Sequence, residues 1–451
     1  MTGTSLSRWT MAYFAAALVS LLATEALMVA GYGYPVDGLR APGTLVVVHL
    51  AAIGWLSLLM AGALFQFVPV LVNHPLAGAG LTLPALLFIV VGLAMLLSGF
   101  MSMGGVLETT AFLPMGGLLL CLGFAMAVTA IGLTLVRSRP LPLPAAFVAA
   151  GLAGLVAAVT LGFVFTQVLG GTTSAPALVY IAAQGVPVHA AAGLGGWLAM
   201  CAVGVSYRLF PMFLLSPDPQ GNGNRVAFML SLGAVTVAVG GGVAALLAAW
   251  SVSSVLLVAG LVAAGAAALY SRDVVNFYRG RRRRELELNM RIAALAFASL
   301  GFAVVLPIPL TALVGAERGI AASVYLVAFG WLSGLGLAKL YKIVPFMTWL
   351  ECYGPILGRA PTPRVQDLVS ETAARPWFIV YFASVWAATA ALAFGSAAAF
   401  RIAAFGTLAA TAAIVVHLVR ARMLSDVAEG QRFPGGALRP SLLYSIAPGG
   451  H

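Results

Sequence analysis

Charged residues are scarce in this sequence. They make up 8% of the 451 residues, whereas 61% are hydrophobic, and soluble domains carry about 25% charged residues. The scarcity excludes a water-soluble globular chain. Apolar runs recur from end to end and leave room for roughly a dozen spans of about 20 residues each. They are too long for the ~10-residue alternating strands of a membrane barrel, so the sequence predicts an all-α polytopic membrane protein.

Cysteine and the motifs of soluble enzymes are also lacking. Cys121, Cys201 and Cys352 stand far apart with no CxxC pair, so neither a disulfide framework nor a cysteine zinc site is indicated. The sequence contains no Ser/His/Asp set, Walker loop, HExxH or dinucleotide fingerprint. Hydrolase chemistry of the soluble kind is therefore not expected.

About twelve transmembrane helices are predicted from the apolar runs. The first run exceeds a signal-peptide core and is interpreted as the first span. The predicted helices are 9–32, 44–71, 81–101, 111–136, 145–169, 177–213, 226–248, 251–271, 290–313, 319–349, 376–397 and 401–422. They define a single transmembrane domain over residues 1–424, and the polar residues 425–451 predict a flexible cytoplasmic tail.

The distribution of positive charge predicts the orientation of the chain. All but three of the 24 Lys and Arg residues flank the N-terminus, the even-to-odd loops or the tail. The exceptions are Arg40, Arg318 and Arg401. Under the positive-inside rule, both termini are predicted to lie in the cytoplasm. The expected location is the inner membrane of a bacterium. The basic run 279–284 is interpreted as an orientation signal that touches lipid head groups, or alternatively as a partner or anionic-lipid site.

An internal repeat organises the predicted helices. A Gly-Trp-Leu triplet precedes an aromatic–polar pair and a proline three times, always with 14 residues from Trp to Pro. The copies lie at 54–69, 196–211 and 330–345. They fall on helices two, six and ten, which predicts three pseudo-symmetric four-helix repeats and disfavours a six-span or inverted repeat. The repeats are about 1–143, 144–289 and 290–424.

Two of the five histidines lie on the repeated helices. His49 and His189 precede the Trp of their copies by six and eight residues, and Tyr325 precedes the third Trp by six. At 1.5 Å per residue, all three lie about 9–12 Å outward of the Trp layer. Ionisable groups inside a bilayer are rare and usually line a site, so we predict a metal-ligating or proton-handling role for both histidines. His74 and His417 are predicted to be solvated and interfacial, respectively.

The sequence allows either one metal shared by His49 and His189 or two separate sites. Their two-residue offset rotates an ideal helix by about 160°, which gives the two side chains different azimuths. The glycine-rich run 193–196 could distort helix six enough to change that.

Glu25 and Arg401 are further candidates in the outer half of the predicted membrane domain. Glu25 lies at a depth comparable with His49, so it could orient the imidazole as a carboxylate behind a metal-bound ring. The alternative is a carboxylate that faces a water-filled crevice or a neighbouring backbone. Arg401 and Arg40 could each pair with a carboxylate such as a haem propionate, or could anchor their helices at the interface.

These features resemble the catalytic subunit of the haem-copper oxidase superfamily. The resemblance rests on twelve spans with both termini inside, on four-helix arcs, and on histidines in helices two and six. The stretch 189–211 is similar to helix six of the C-type branch, in which a copper-ligating His opens a Gly-rich span that ends in aromatics and Pro. The resemblance implies an oxidase subunit I-like fold, with His49 as an axial haem ligand and His189 as a copper ligand.

The sequence also departs from that family. The family's helix ten carries two haem-ligating histidines, where this chain offers Tyr325, and its helix seven carries a copper-binding His pair, whereas residues 226–248 contain no His. A normal oxygen-reducing centre of haem iron and three-His copper cannot be assembled from these residues. The chain is interpreted as a stand-alone, degenerate relative, similar to haem- and copper-containing membrane proteins of the nitric-oxide-response type.

The leading hypothesis is a protein that binds haem, copper or both through His49 and His189, with Tyr325, Glu25 and Arg401 as additional cofactor-binding candidates. It would serve electron transfer, nitric oxide handling or metal-centre assembly. Its expected partners are membrane lipid and other respiratory or assembly subunits. Nucleic acid is not expected as a partner. A competing hypothesis is a cofactor-free transporter or channel with a His/Glu proton relay, and a third is a structural subunit of a respiratory complex.

Overall fold

The protein is an all-α, multi-pass membrane protein. A computed structural model describes residues 7–106, 109, 111–217, 222–437 and 439–445, which include no strand. Within these residues, twelve helices are long and apolar enough to cross a membrane. The spans are α1 Thr10–Ala30, α2 Pro42–Val72, α3 Ala79–Met103, α4 Phe112–Val136, α5 Leu143–Leu169, α6 Val186–Leu214, α7 Gly223–Leu247, α8 Val252–Arg279, α9 Leu288–Val305, α10 Ala316–Ile356, α11 Glu371–Ala393 and α12 Ala397–Arg422. The predicted fold class and number of spans are confirmed.

Proline determines where two spans differ from the predicted ranges. The helix predicted at 177–213 is divided into a short helix, Pro176–Gln184, and α6. The helix predicted at 290–313 is likewise divided into α9 and Pro307–Val314. Pro187 and Pro307 each stand at the start of the second helix, where a missing backbone N–H costs no hydrogen bond.

The helix α8 extends further than its apolar run. It was predicted to end at 271 but continues to Arg279. The extra turns are polar, and one buried carboxylate stabilises them: the Tyr207 hydroxyl of α6 donates to Oδ2 of Asp273 at 2.9 Å. Arg272 donates to Oδ1 of the same carboxylate at 3.0 Å. Tertiary hydrogen bonds thus extend the helix beyond the apolar segment.

Each copy of the repeated motif contains a π-helical turn at the Gly-Trp-Leu triplet. These turns are Leu50–Ser57 in α2, Ala191–Ala199 in α6 and Leu326–Ser333 in α10. A fourth π turn, Val237–Gly241, lies in α7 outside the motif. π turns are rare in proteins, and those that do occur often lie at functional sites. The predicted threefold arrangement of the repeats stays a prediction.

The chain divides into two compact units. Unit 1 comprises residues 37–285 with Ser7, and therefore contains α2 to α8; unit 2 comprises residues 8–36 and 286–451, and contains α1 and α9 to α12. In unit 1, consecutive spans from α2 to α6 pack on one another, as do α7 and α8. In unit 2, α1 packs on α12, α9 on α10, and α11 on α12.

The C-terminal segment predicted to be a flexible tail makes several contacts within unit 2. Arg422 at the end of α12 donates to the carbonyl oxygens of Ser441 at 2.6 Å and Tyr444 at 3.0 Å. The same guanidinium forms a buried ion pair with Glu351 of α10 at 2.7 Å. The described part of the segment therefore packs against the ends of α10 and α12.

Candidate functional site

His49 of α2 and His189 of α6 lie beside each other in unit 1. Their ring centroids are 6.3 Å apart, and the ring planes are inclined by 26°. Both side chains are half-buried. The sequence allowed these two residues to serve either one shared metal site or two separate sites. In the structure the two side chains form one pair. We call these two residues the imidazole pair.

Each histidine of the imidazole pair stands where its helix changes from α to π geometry. His49 directly precedes the π turn of α2, and His189 lies two residues before the π turn of α6. A π turn holds more residues than an α turn, so it shifts the azimuth of everything beyond it. His49 and His189 lie six and eight places before their Trp, and their rings nevertheless meet at 6.3 Å between centroids.

The hydrogen bonds of the two rings define their tautomers. Nδ1 of His49 lies 2.8 Å from the carbonyl oxygen of Leu45, one turn earlier in α2. Nδ1 of His189 lies 2.9 Å from the carbonyl oxygen of Ala158 in α5. A carbonyl oxygen only accepts, so in each neutral ring Nδ1 carries the hydrogen and Nε2 carries the lone pair. Neither Nε2 has a hydrogen-bond partner within the described ranges.

A glycine on α5 makes room for the His189 ring. In an α-helix the Ala158 carbonyl also accepts the amide of residue 162, so the imidazole must approach the helix surface at that turn. Residue 162 is Gly, and a Cβ added there would lie 3.1 Å from Cε1 of His189. The bare backbone of α5 thus allows the imidazole to reach a carbonyl that a larger side chain would cover.

Close packing of α5 against α6 holds that arrangement in place. A Cβ added at Gly154 of α5 would lie 2.4 Å from the carbonyl carbon of Gly196, so the two backbones are in direct contact, as small residues permit in membranes. The α6 π turn is also tied to α2, since Nε1 of Trp197 donates to the buried hydroxyl of Ser57 at 3.1 Å. These contacts connect the three helices that carry the pair and its partners.

Aromatic rings border the imidazole pair on two sides. The Phe100 ring of α3 lies 5.0 Å from the His49 ring, and the Phe165 ring of α5 lies 5.5 Å from the His189 ring. No ion pair involves either histidine within the described part of the chain. The two free Nε2 lone pairs therefore lie in largely apolar surroundings.

The geometry of the imidazole pair fits two ligands of one transition metal ion. With metal–nitrogen bonds of about 2.0–2.1 Å, two imidazoles that would hold one metal have ring centroids up to roughly 6 Å apart. The measured 6.3 Å is close to that separation. Nδ1–H donated to a backbone carbonyl is also the usual support of a metal-bound imidazole. Within the described ranges, no group of three or more His, Cys, Asp or Glu residues could hold a metal.

The other three candidates, Tyr325, Glu25 and Arg401, lie in unit 2. The Glu25 carboxylate accepts a hydrogen bond from Thr411 at 2.9 Å. The Tyr325 hydroxyl is buried without a hydrogen-bond partner among the described residues. Arg401 donates through Nε to the carbonyl oxygen of Val29 at 2.9 Å, at the end of α1. Their proposed roles toward a cofactor, including that of Glu25 behind His49, stay predictions.

Several supporting residues were not anticipated from the sequence. Ala158 contributes only a backbone oxygen, and Gly162 only the absence of a side chain, so neither carries a chemical signal. Ser57 could have been noticed, because it follows the first repeated Trp by two residues, as Ser333 follows the third. Its partner Trp197, however, belongs to another copy of the motif, and such a pairing is visible only in the tertiary structure.

No protein-family model matches this sequence, and the comparison with curated proteins finds no match.

Proposed function

We propose that the protein binds a redox-active metal, either a copper ion or haem iron, through Nε2 of His49 and Nε2 of His189. One observation carries the proposal: the two rings lie 6.3 Å apart, and each directs its Nδ1 hydrogen to a backbone carbonyl. Two neutral imidazoles with free lone pairs inside a membrane domain have no evident structural task, since their Nδ1 bonds alone would hold the rings.

The chemistry of the donor set favours copper or iron over harder cations. Magnesium and calcium require oxygen ligands, whereas imidazole suits copper, iron and zinc. A bound copper or haem iron would supply one-electron redox chemistry in an apolar environment. The residues of the chain would hold the metal, fix the ring orientation through Leu45 and Ala158, and limit water through Phe100 and Phe165.

Such a centre supports electron transfer, nitric oxide handling or metal-centre assembly in a bacterial inner membrane. A normal oxygen-reducing reaction is not proposed, because the sequence has no further histidines on helices seven and ten. The likeness to the haem-copper oxidase superfamily remains a hypothesis that rests on topology and on the placement of His49 and His189.

The direct test is the cofactor content of the purified protein. We expect a haem absorption spectrum, confirmed as the pyridine haemochrome, or about one copper per chain by elemental analysis. Substitutions His49→Ala and His189→Ala should each abolish the same signal, because both imidazoles bind one metal. The matched controls His74→Ala and His417→Ala remove histidines outside the pair and should retain it.

Two results would contradict this proposal in different ways. Colourless, metal-free wild-type protein would remove the cofactor function and favour the transporter or channel hypothesis, in which the two imidazoles relay protons or bind substrate. Loss of haem in one variant and of copper in the other would instead establish two separate sites. A thermal unfolding measurement on each variant distinguishes cofactor loss from misfolding.

A further inference from the structure

Unit 2 contains a second buried polar cluster, centred on a carboxyl group within a membrane span. Glu25 of α1 has 0% of its surface exposed. The hydroxyl of Thr411 in α12 donates to Oε1 of this carboxyl group at 2.9 Å. The other oxygen, Oε2, is buried and has no hydrogen-bond partner among the described residues. Ionisable residues within membrane spans usually mark sites that handle ions or protons.

Two tyrosines from different helices complete this cluster. Tyr325 of α10 and Tyr381 of α11 lie near the Glu25 carboxyl group. Tyr381 donates its hydroxyl to the carbonyl oxygen of Phe329, within the π turn of α10, at 2.9 Å. The Tyr325 ring stacks on Phe329 at 4.6 Å, but its hydroxyl has no hydrogen-bond partner in the described part of the chain. The cluster therefore has two open hydrogen-bonding groups, Oε2 of Glu25 and the Tyr325 hydroxyl.

No positive charge compensates the Glu25 carboxyl group within the described residues. None of the ion pairs of unit 2 includes it. The elements packed around it contribute the Thr411 hydroxyl and two phenols. The nearest arginines on α12, Arg420 and Arg401, lie nine and ten residues from Thr411, which is about 13 to 15 Å along the helix. An ionised carboxylate without a partner is strongly disfavoured in such a place.

A proton matches this cluster better than a metal cation does. Calcium takes six or more oxygen ligands and magnesium about as many in strict octahedral geometry. The cluster around Glu25 offers one carboxyl group and a few hydroxyl groups. A single proton on Oε2 neutralises the charge, and it converts the unpartnered oxygen into a hydrogen-bond donor.

We propose that Glu25 is a proton-binding site, with Thr411 as its positioning residue and the Tyr325 and Tyr381 phenols as its neighbours. On protonation, Oε2 gains the proton and the carboxyl group becomes neutral. On release, the proton passes to water and the remaining carboxylate is stabilised by the hydrogen bond that Thr411 donates to Oε1. This inference concerns unit 2 alone and does not depend on metal binding by the imidazole pair.

The test is chemical labelling with dicyclohexylcarbodiimide, an apolar reagent that modifies protonated carboxyl groups. The full-length protein in lipid nanodiscs would be treated over a range of pH and analysed by peptide mass spectrometry. We expect label on Glu25 at neutral pH and none on the exposed carboxyl groups of Glu317 and Glu429. The label on Glu25 should disappear at alkaline pH and should be unaffected by sodium or potassium ions.

Two variants give readouts that a purely structural role would not change. Thr411→Val removes the donor that stabilises the carboxylate, so its Glu25 label should persist to more alkaline pH. Glu25→Gln keeps an acceptor for Thr411 but should eliminate both the label and one carboxylic acid carbonyl band in the infrared spectrum. Absence of the label together with an unchanged infrared spectrum in Glu25→Gln would overturn the proposal. Protection of Glu25 by sodium ions would also overturn it, because it would establish a metal cation site instead.

Discussion

The two rings of the imidazole pair are oriented by hydrogen bonds to backbone atoms and not to other side chains. Leu45 and Ala158 supply carbonyl oxygens at 2.8 and 2.9 Å. These bonds select the tautomer with a free Nε2 without introducing a charge. The absence of a charge is important in an apolar region, because the negative charge of a carboxylate partner would itself need a compensating positive charge. Backbone carbonyls therefore allow two imidazoles to be oriented at a low cost in desolvation.

The substitution Gly162→Ala tests the role of the α5 surface. The added Cβ would lie 3.1 Å from Cε1 and 3.7 Å from Nδ1 of His189, so the ring must shift by a few tenths of an ångström, which disturbs its hydrogen bond to the Ala158 carbonyl. We expect metal affinity to fall about 10- to 100-fold, as is typical when the partner of a ligating imidazole is disturbed. The measurement is metal titration of the purified protein.

Gly132→Ala provides the control for that substitution. Gly132 also lies within a membrane span, in α4, but a Cβ at this position would meet nothing within 4 Å. Metal affinity should therefore match that of the wild type. Equal affinity of Gly162→Ala and wild type would show that the approach of His189 to α5 is not needed for binding.

At the scale of elements, π turns recur at the same place in the sequence motif. In α2, α6 and α10 the turn includes the Gly-Trp-Leu triplet, and the candidate residue His49, His189 or Tyr325 stands at or just before its start. The extra residue of a π turn lets the outer and inner parts of a helix present different faces. In α2 and α6, the imidazole stands before the π turn, and the turn itself carries the Trp.

Deletion of Gly195 tests whether the π turn of α6 aims His189. Removing one residue should convert the π turn into an α turn and rotate the segment before it by about 100° relative to the rest of α6. We expect metal content to fall at least about tenfold, while the helical content measured by circular dichroism is retained. The rotation would move His189 away from His49.

Deletion of Gly240 is the matched change in another span. It shortens the π turn Val237–Gly241 of α7, which carries no histidine. The variant that lacks Gly240 should retain its cofactor if deletion of Gly195 acts by displacing the His189 imidazole. Loss of cofactor in both deletions, or in neither, would contradict the specific role of the α6 turn.

At the scale of the whole molecule, the two compact units do not follow the order of the chain. α1 belongs with α9 to α12 because it packs on α12, and the first unit begins with α2. The imidazole pair lies wholly in unit 1 and the Glu25 cluster wholly in unit 2. Each proposed site is therefore built from the residues of a single unit.

The orientation of the chain in the membrane is predicted by charge. Alkaline phosphatase fused after Gly38 or Gly315, in loops predicted to face outward, should be active, whereas a fusion after Gly280 should be inactive. The reason is that arginines crowd the loop around 279–284 and are retained on the cytoplasmic side. Enzyme activity per fusion, normalised to expression, is the measurement.

Fusions of a cytoplasmic fluorescent protein at the same sites provide the complementary control. They should fluoresce after Gly280 and remain dark after Gly38 and Gly315. The reverse pattern for both reporters would invert the orientation, and it would place His49, His189 and Glu25 in the inner half of the membrane.

Much of the fold could be predicted from local sequence because the bilayer restricts the choices. Long apolar runs can only be helices in lipid, so twelve spans followed from hydropathy, and the rarity of ionisable groups indicated His49, His189 and Glu25. The ends of α6, α8 and α9 were less predictable. They depend on Pro187 and Pro307 as helix starts and on the buried Asp273, whose partner Tyr207 is distant in sequence.

The sequence by itself determined the class of protein, the number of spans and the residues able to carry chemistry, because composition and periodicity are local properties. Tertiary structure alone decided how those residues are grouped. It placed His49 beside His189, gave His189 the carbonyl of Ala158, and gave Glu25 the hydroxyl of Thr411. The physical reason is that π turns and glycine contacts set helix rotation and separation, and a shift of one residue or one methyl group is enough to change which side chains meet.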